Sequence, residues 1–196
     1  HQPHPLLPAL CDRAGIFLLE EMPLYYLTDA HFQHARFAPI AQLLAREMQQ
    51  RDRHHPSVLA WGLGVNNAPL SEGAQREVAA LVGAMRQNDE RPLYVVTPPE
   101  WQSLWSAHVD FMLMEWRAVV NIEMLSARLN GSNKLIVPVL GHYLSTLEAG
   151  SGARLEPARA EELQAEYFNR VLPALKISHA ASGYFVHALQ DWQAPM

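Results

Sequence analysis

The chain has 196 residues, 49% of them apolar and 18% charged, with 15 basic against 20 acidic side chains and a net charge of −5. That balance excludes a disordered chain, which needs low hydrophobicity and high net charge, and a dedicated nucleic-acid binder, for which no basic cluster exists. No apolar run approaches the ~20 residues needed to cross a bilayer, and the lone Cys11 permits neither an internal disulfide nor a zinc knuckle.

The predicted elements alternate along the chain. Gly15 to Leu19 reads as a short buried strand ending at Glu20-Glu21. From about Pro39 to Arg51 a helix places Ile40, Leu43, Leu44 and Met48 on one face, with Arg46, Glu47, Gln49 and Gln50 opposite. Ser57 to Trp61 is a second strand, and a helix follows over about Ser71 to Gln87, with Val78, Leu81, Val82 and Met85 inward. Leu93 to Val96 is a third strand, broken by Pro98-Pro99, and Val109 to Met114 a fourth. Ile122, Leu125 and Leu129 mark the next helix, stopped by Asn130-Gly131. Leu135 to Val139 is a fifth strand. A helix from about Pro157 toward Ile177, interrupted at Pro173, leads to a sixth strand over Gly183 to Ala188. Apolar strands alternating with amphipathic helices predict an α/β fold with a parallel sheet, in one domain over residues 1–196. Periodicity leaves open whether the sheet is flat or closed into a barrel.

Local motifs exclude several chemistries. Gly62-Leu63-Gly64 after a strand lacks the third glycine and the acidic ribose partner of a dinucleotide site. His31 with His34, and His54 with His55, lack the third ligand that a metal needs, so no metal or cofactor is expected. No G-x-S-x-G elbow accompanies Ser57 or Ser71. Carboxylates do stand at strand ends, Glu20-Glu21 after the first and Glu115 after the fourth, where α/β folds place their sites.

Several strings together resemble one family. His1-Gln2-Pro3-His4, then the run from Leu10-Cys11-Asp12-Arg13-Ala14-Gly15 to Glu20-Glu21-Met22-Pro23, is similar to a stretch of the family 2 glycoside hydrolases, the β-galactosidase, β-glucuronidase and β-mannosidase relatives. The string from Arg51-Asp52-Arg53-His54-His55-Pro56-Ser57 to Trp61 resembles that family's "RDRNHPSVIxW". The resemblance implies a (β/α)8 TIM-type barrel of which this chain supplies roughly strands three to eight. It also implies partners in the missing upstream barrel strands, or further domains, of the same polypeptide. His1 then begins as a piece of something longer would.

A retaining glycosidase needs two carboxyl groups ~5–5.5 Å apart, one a nucleophile and one an acid/base. By the resemblance, Asn66 takes the place of the family's asparagine and Asn67 stands at the acid/base position, with one extra residue before the pair. Val139 stands at the nucleophile position. An amide does not exchange a proton near neutral pH, and a valine cannot attack. The expectation is a barrel that has lost hydrolysis and keeps a saccharide surface built from His1, His4, Trp61, Asn66, Glu115, Trp116 and His187, with Trp192 nearby. Two alternatives stand beside it. One is an active hydrolase with relocated carboxylates, Glu21 and Glu115; the other is a purely structural or interaction domain.

Overall fold

A computed structural model describes residues 3–115, 135–140, 159, 162, 165, 166, 168, 169, 172, 173, 185 and 186. The chain divides into two compact units, His1–Met112 and Leu113–Met196.

The first unit opens with a helix that the apolar pattern did not suggest, α1 (Leu6–Ala14), closed by Gly15 in the left-handed conformation at φ +67°. Gly15 is therefore a helix stop, and the first strand, β1 (Leu18–Glu21), starts three residues later than expected and takes in both glutamates. A single turn, α2 (Asp29–Phe32), and a long helix, α3 (Phe37–Asp52), lead to β2 (Val58–Val65). Helix α4 (Glu72–Asn88) starts at Ser71, whose hydroxyl accepts from Ala74 N, and delivers the chain to β3 (Leu93–Thr97). A 3-10 turn (Pro99–Trp101) and α5 (Gln102–Trp105) precede β4 (Phe111–Glu115).

These four strands lie in sheet order as they lie in sequence. The β1–β2 and β2–β3 pairs are parallel, each joined through helical segments, which is the β/α repeat of a barrel wall. In the second unit β5 (Leu135–Leu140) pairs in parallel with β6 (Phe185–Val186), Val139 opposite Phe185. The described residues between 159 and 173 are helical, within the predicted span. The predicted helix around Ile122 to Leu129, with its Asn130-Gly131 stop, lies outside the described residues.

The core of the first unit fills the layer between sheet and helices: Met22, Trp61, Leu63, Leu93 and Val95 from the strand side meet Ala41, Ala45, Met48, Val78, Leu81 and Met85 from α3 and α4. Helix α4 buries the predicted face, and α3 only part of it. Met48 is buried and Leu44 packs against the core as expected, but Ile40 and Leu43 are half exposed, and Ala41, Ala45, Gln49 and Asp52 are buried in their stead. Small alanines suit the close approach of α3 to its neighbours, and Gln49 is held inward by donating to the Met85 carbonyl at 3.1 Å. Hydrophobicity alone placed only half of that face.

Two neighbouring glutamates on β1 meet different surroundings. Glu20, 0% exposed, sits with Asp52 and Arg51 at the end of α3; Arg51 Nη2 stands 3.7 Å from Glu20 Oε2, and Arg51 Nε donates to Asp52 at 2.7 Å. Neither Glu20 oxygen has a hydrogen-bond partner among the described residues. Burial, reinforced by the Asp52 carboxylate and only partly opposed by Arg51 and Arg91, pushes the Glu20 carboxyl up to about 8. The folded chain thus keeps a proton that the unfolded chain releases near 4.5, so stability falls as pH rises between those values. In Glu20→Gln that fall should flatten. Urea midpoints at pH 5 and pH 8 should then lie closer together than in the wild type, and an unchanged gap would show that Glu20 does not cause it.

Candidate functional site

The C-terminal ends of β1 and β2 are tied by one buried amide. Asn67, 0% exposed, accepts from Leu27 N at 2.8 Å through Oδ1 and donates through Nδ2 to the carbonyls of Leu24 (3.0 Å) and Leu63 (3.4 Å). Its own carbonyl accepts from Trp105 Nε1 at 3.1 Å. The segment after β1 then runs beside the end of β2: Val65 N donates to Leu24 O (2.9 Å), Tyr26 N to Val65 O (3.0 Å), and Tyr25 forms a parallel bridge with Val65.

Strand β2 carries one more residue than β3 across this stretch, since Gly62 lies opposite Tyr94 but Val65 opposite Val96. This is a bulge, and Gly64 occupies its left-handed position at φ +101°, where a side chain would strike the Leu24 carbonyl. Beyond the bulge Asn66 has φ +53°, is 3% exposed, and donates from its backbone to Val96 O at 2.8 Å.

Glu21, Gly62 and Tyr94 come together on the opposite side of the sheet wall from the Glu20 cluster. A Cβ on Gly62 would lie 2.6 Å from Tyr94 Cζ and 3.0 Å from Glu21 Cγ, so the bare glycine is what lets the tyrosine ring cross β2. Tyr94 stacks on Phe111, with ring centroids 5.4 Å apart at 19°. Tyr25 hydrogen-bonds Glu21, and its hydroxyl is pushed up by burial and by that carboxylate. Tyr94 is shifted up further, by burial first and then by Glu21, Glu20 and Tyr25. The result is a carboxyl group among aromatic hydroxyls at the strand ends. It can accept hydrogen bonds, and its tyrosines stay protonated at neutral pH.

The expected residues are distributed unevenly around this centre. Asn66 and Asn67 lie at it; Trp61 does not. Trp61 is fully buried in the sheet–helix layer with the Arg91 guanidinium 5.6 Å from its ring centroid, because it faces α3 and α4 rather than the strand ends. His4 is exposed ahead of α1, where its Nδ1 accepts from Leu6 N at 3.2 Å. Glu115 closes β4, and Val139 lies within β5. His1, Trp116, His187 and Trp192 lie outside the described residues. Glu72, the only acid that a shifted reading of β2 could enlist, opens α4 as a solvent-facing side chain paired with Arg76 at 3.9 Å. Gly62 and Gly64 belong to a strand and its bulge rather than to a phosphate loop. Three further histidines have local duties: His31 Nδ1 accepts from Thr28 N at 3.1 Å, His55 pairs with Asp12 at 2.6 Å, and His108 meets Gln75 at 2.6 Å.

Sequence reasoning missed Gly62, Tyr94, Tyr25 and Tyr26. The aromatic run Tyr25-Tyr26 just beyond the first strand was the available signal. In Gly62→Ala the new methyl should displace Tyr94, destabilising the fold by roughly 1–3 kcal/mol as overpacking does. In a Tyr94→Leu background the same change should cost nothing further in urea denaturation. Equal costs in both backgrounds would refute the contact.

Comparison with known proteins agrees with this architecture. The family model described as "Glycosyl hydrolases family 2, TIM barrel domain" matches residues 1–174. Among solved structures, a β-galacturonidase from Eisenbergiella tayi superposes with a TM-score of 0.76 at 20% identity, over 95% of this chain and 35% of that one. The β-glucuronidase of Ruminococcus gnavus gives 0.78 at 17% identity, over 100% and 37% respectively. The β-D-glucuronidase of Dictyoglomus thermophilum gives 0.75 at 17%, over 100% and 38%. The chain thus spans little more than a third of these proteins, and the likeness to them is one of fold. With the family model covering most of its length, and with strands and helices alternating as a barrel wall requires, the chain belongs to the glycosyl hydrolases of family 2, as part of their TIM barrel domain.

Proposed function

We propose that this barrel no longer hydrolyses glycosides and that its strand ends bind a saccharide. The observation that carries the reading is the state of the Asn66-Asn67 pair. Whichever of the two holds the position of the family's proton donor, the group there is an amide, and an amide neither delivers a proton to a leaving oxygen nor takes one back. Asn67 is further removed from such a role, since Leu27, Leu24 and Leu63 occupy its side chain. Val139 at the nucleophile position supports the same conclusion. What the site keeps is a carboxyl and tyrosine hydroxyls for ligand hydroxyl groups, beside aromatic rings, the composition of a sugar site. His4, Asn66, Glu115, Trp116, His187 and His1 complete the proposed surface.

The exposed apolar residues Leu6, Leu7 and Leu10 of α1, with Ile16 and Phe17 ahead of β1, support a second part of the proposal. This face packs against the upstream strands of the same barrel, carried by the same polypeptide, so that residues 1–196 form one domain with them.

One specific observation favours an active alternative: Glu21 is a half-buried carboxyl hydrogen-bonded by Tyr25, and a hydrolase could use it with Glu115. A panel of nitrophenyl glycosides, including galactosides, glucosides and glucuronides, separates the two readings. At high protein concentration the expected release is that of buffer alone, together with saturable binding of one of the corresponding methyl glycosides. Turnover that disappears in both Glu21→Gln and Glu115→Gln would establish the relocated pair instead.

A further inference from the structure

We propose that Tyr26 is a stacking platform of the saccharide site, receiving the C–H face of a pyranoside ring; this rests on the saccharide-binding reading above. Tyr26 combines two unfavourable features that a loop residue could easily avoid. Its backbone is left-handed, at φ +56°, where a bulky side chain is a true outlier. The residue is 61% exposed, so burial does little to offset the strain. Glycine or asparagine would hold the same turn with less strain.

The conformation is enforced from every side. Tyr26 N–H is bonded to Val65 O, the preceding Tyr25 is bridged to Val65, and the following Leu27 is bonded by Asn67 Oδ1 and accepts from Ala68 N at 2.8 Å. On the other flank of Val65 stands Asn66, also left-handed at φ +53°; these two are the only non-glycine residues with positive φ among those described. Both lie at the C-terminal ends of parallel strands, the side on which barrels bind their ligands. Strain held in place by surrounding structure is concentrated at ligand-binding positions. Here it holds an exposed aromatic residue next in sequence to Tyr25, whose hydroxyl is bonded to Glu21. A pyranoside offers both complements, an apolar C–H face for the ring and hydroxyls for the carboxyl group beside it.

The test is calorimetric titration of the full polypeptide with methyl β-glucopyranoside, methyl β-galactopyranoside and methyl β-glucuronide, alongside thermal unfolding. Tyr26→Ala should weaken whichever glycoside binds by tenfold or more, and Tyr26→Phe should stay within twofold, because the ring is kept. Tyr26→Gly should lose binding as Tyr26→Ala does while unfolding at or above the wild-type temperature, which a packing role would not allow. If the wild type binds and Tyr26→Ala binds equally well, the platform is refuted and the saccharide reading survives. If Tyr26→Gly unfolds well below the wild type, the ring is structural and the platform is likewise refuted. Absence of binding by the wild type overturns both.

Discussion

The Asp12 carboxylate fixes the geometry on which the site depends. It accepts from Ser57 N at 2.9 Å and from the His55 ring at 2.6 Å, and Ser57 Oγ in turn donates to Pro8 O at 3.2 Å. These bonds hold the carboxyl near 2, well below the usual aspartate range. They also clamp the end of α1 to the entrance of β2, so that Leu18 N meets Ser57 O at 2.8 Å and the β1–β2 register starts there. Register decides which face each side chain takes. One step of slip would send Glu21 toward the Asp52 cluster and Glu20 toward Tyr94.

That alternation sets two kinds of carboxyl chemistry side by side. Glu20 lies on the helix side, where Arg51 is engaged with Asp52, and Arg91 is bonded to Asp89 and to the carbonyls of Arg53 and His55. A buried acid there adds nothing to ligand binding and makes the fold sensitive to alkali. Glu21, one residue on, sits among Tyr25, Tyr94 and the bare backbone of Gly62. Of the two, only Glu21 keeps partial exposure to solvent. The strand that carries both must therefore be held in phase: the Asp12 clamp fixes its entry from outside the site, and the one-residue shift between Leu18 and Leu19 sets the pairing beyond it.

The clamp also explains what the sequence made legible. The two strings most alike to the family, Leu10 to Ile16 and Arg51 to Val58, are the two that Asp12, His55, Ser57 and Pro8 stitch together. They report scaffold, and from them the barrel class could be read. Helix α4 was legible because Ser71 caps it and its large apolar residues face the core. Helix α3 was legible only in part, at Leu44 and Met48, because alanines, Gln49 and Asp52 share its inner face, a choice made by its partners rather than by hydrophobicity. Helix α1 was hidden because Leu6, Leu7 and Leu10 are exposed on it, so its apolar pattern does not point to this unit's own core. At the site, the two asparagines were visible as letters. The strained backbone of Tyr26 and Asn66, and the passage of Tyr94 over Gly62, arise only when three strands are set in register.

This division between scaffold and chemistry bears on how such a barrel could lose a carboxylate and persist. Catalytic acids are held in place against desolvation and mutual repulsion, so replacing them is often neutral or favourable for stability. Asn67 goes further than neutrality. Its amide provides an acceptor for Leu27 N and a donor for Leu24 O, and a carboxylate of the same shape could supply only the first. The residue that the proposal sets at the proton donor's position is thus the one that seals the segment after β1 onto β2. An ionised acid at that point would leave the Leu24 carbonyl facing negative charge in a buried position, at a cost of about 1–3 kcal/mol. On the proposed reading, the amide that cannot transfer a proton is thus part of the fold itself, and the proposed saccharide surface depends on the same side chain.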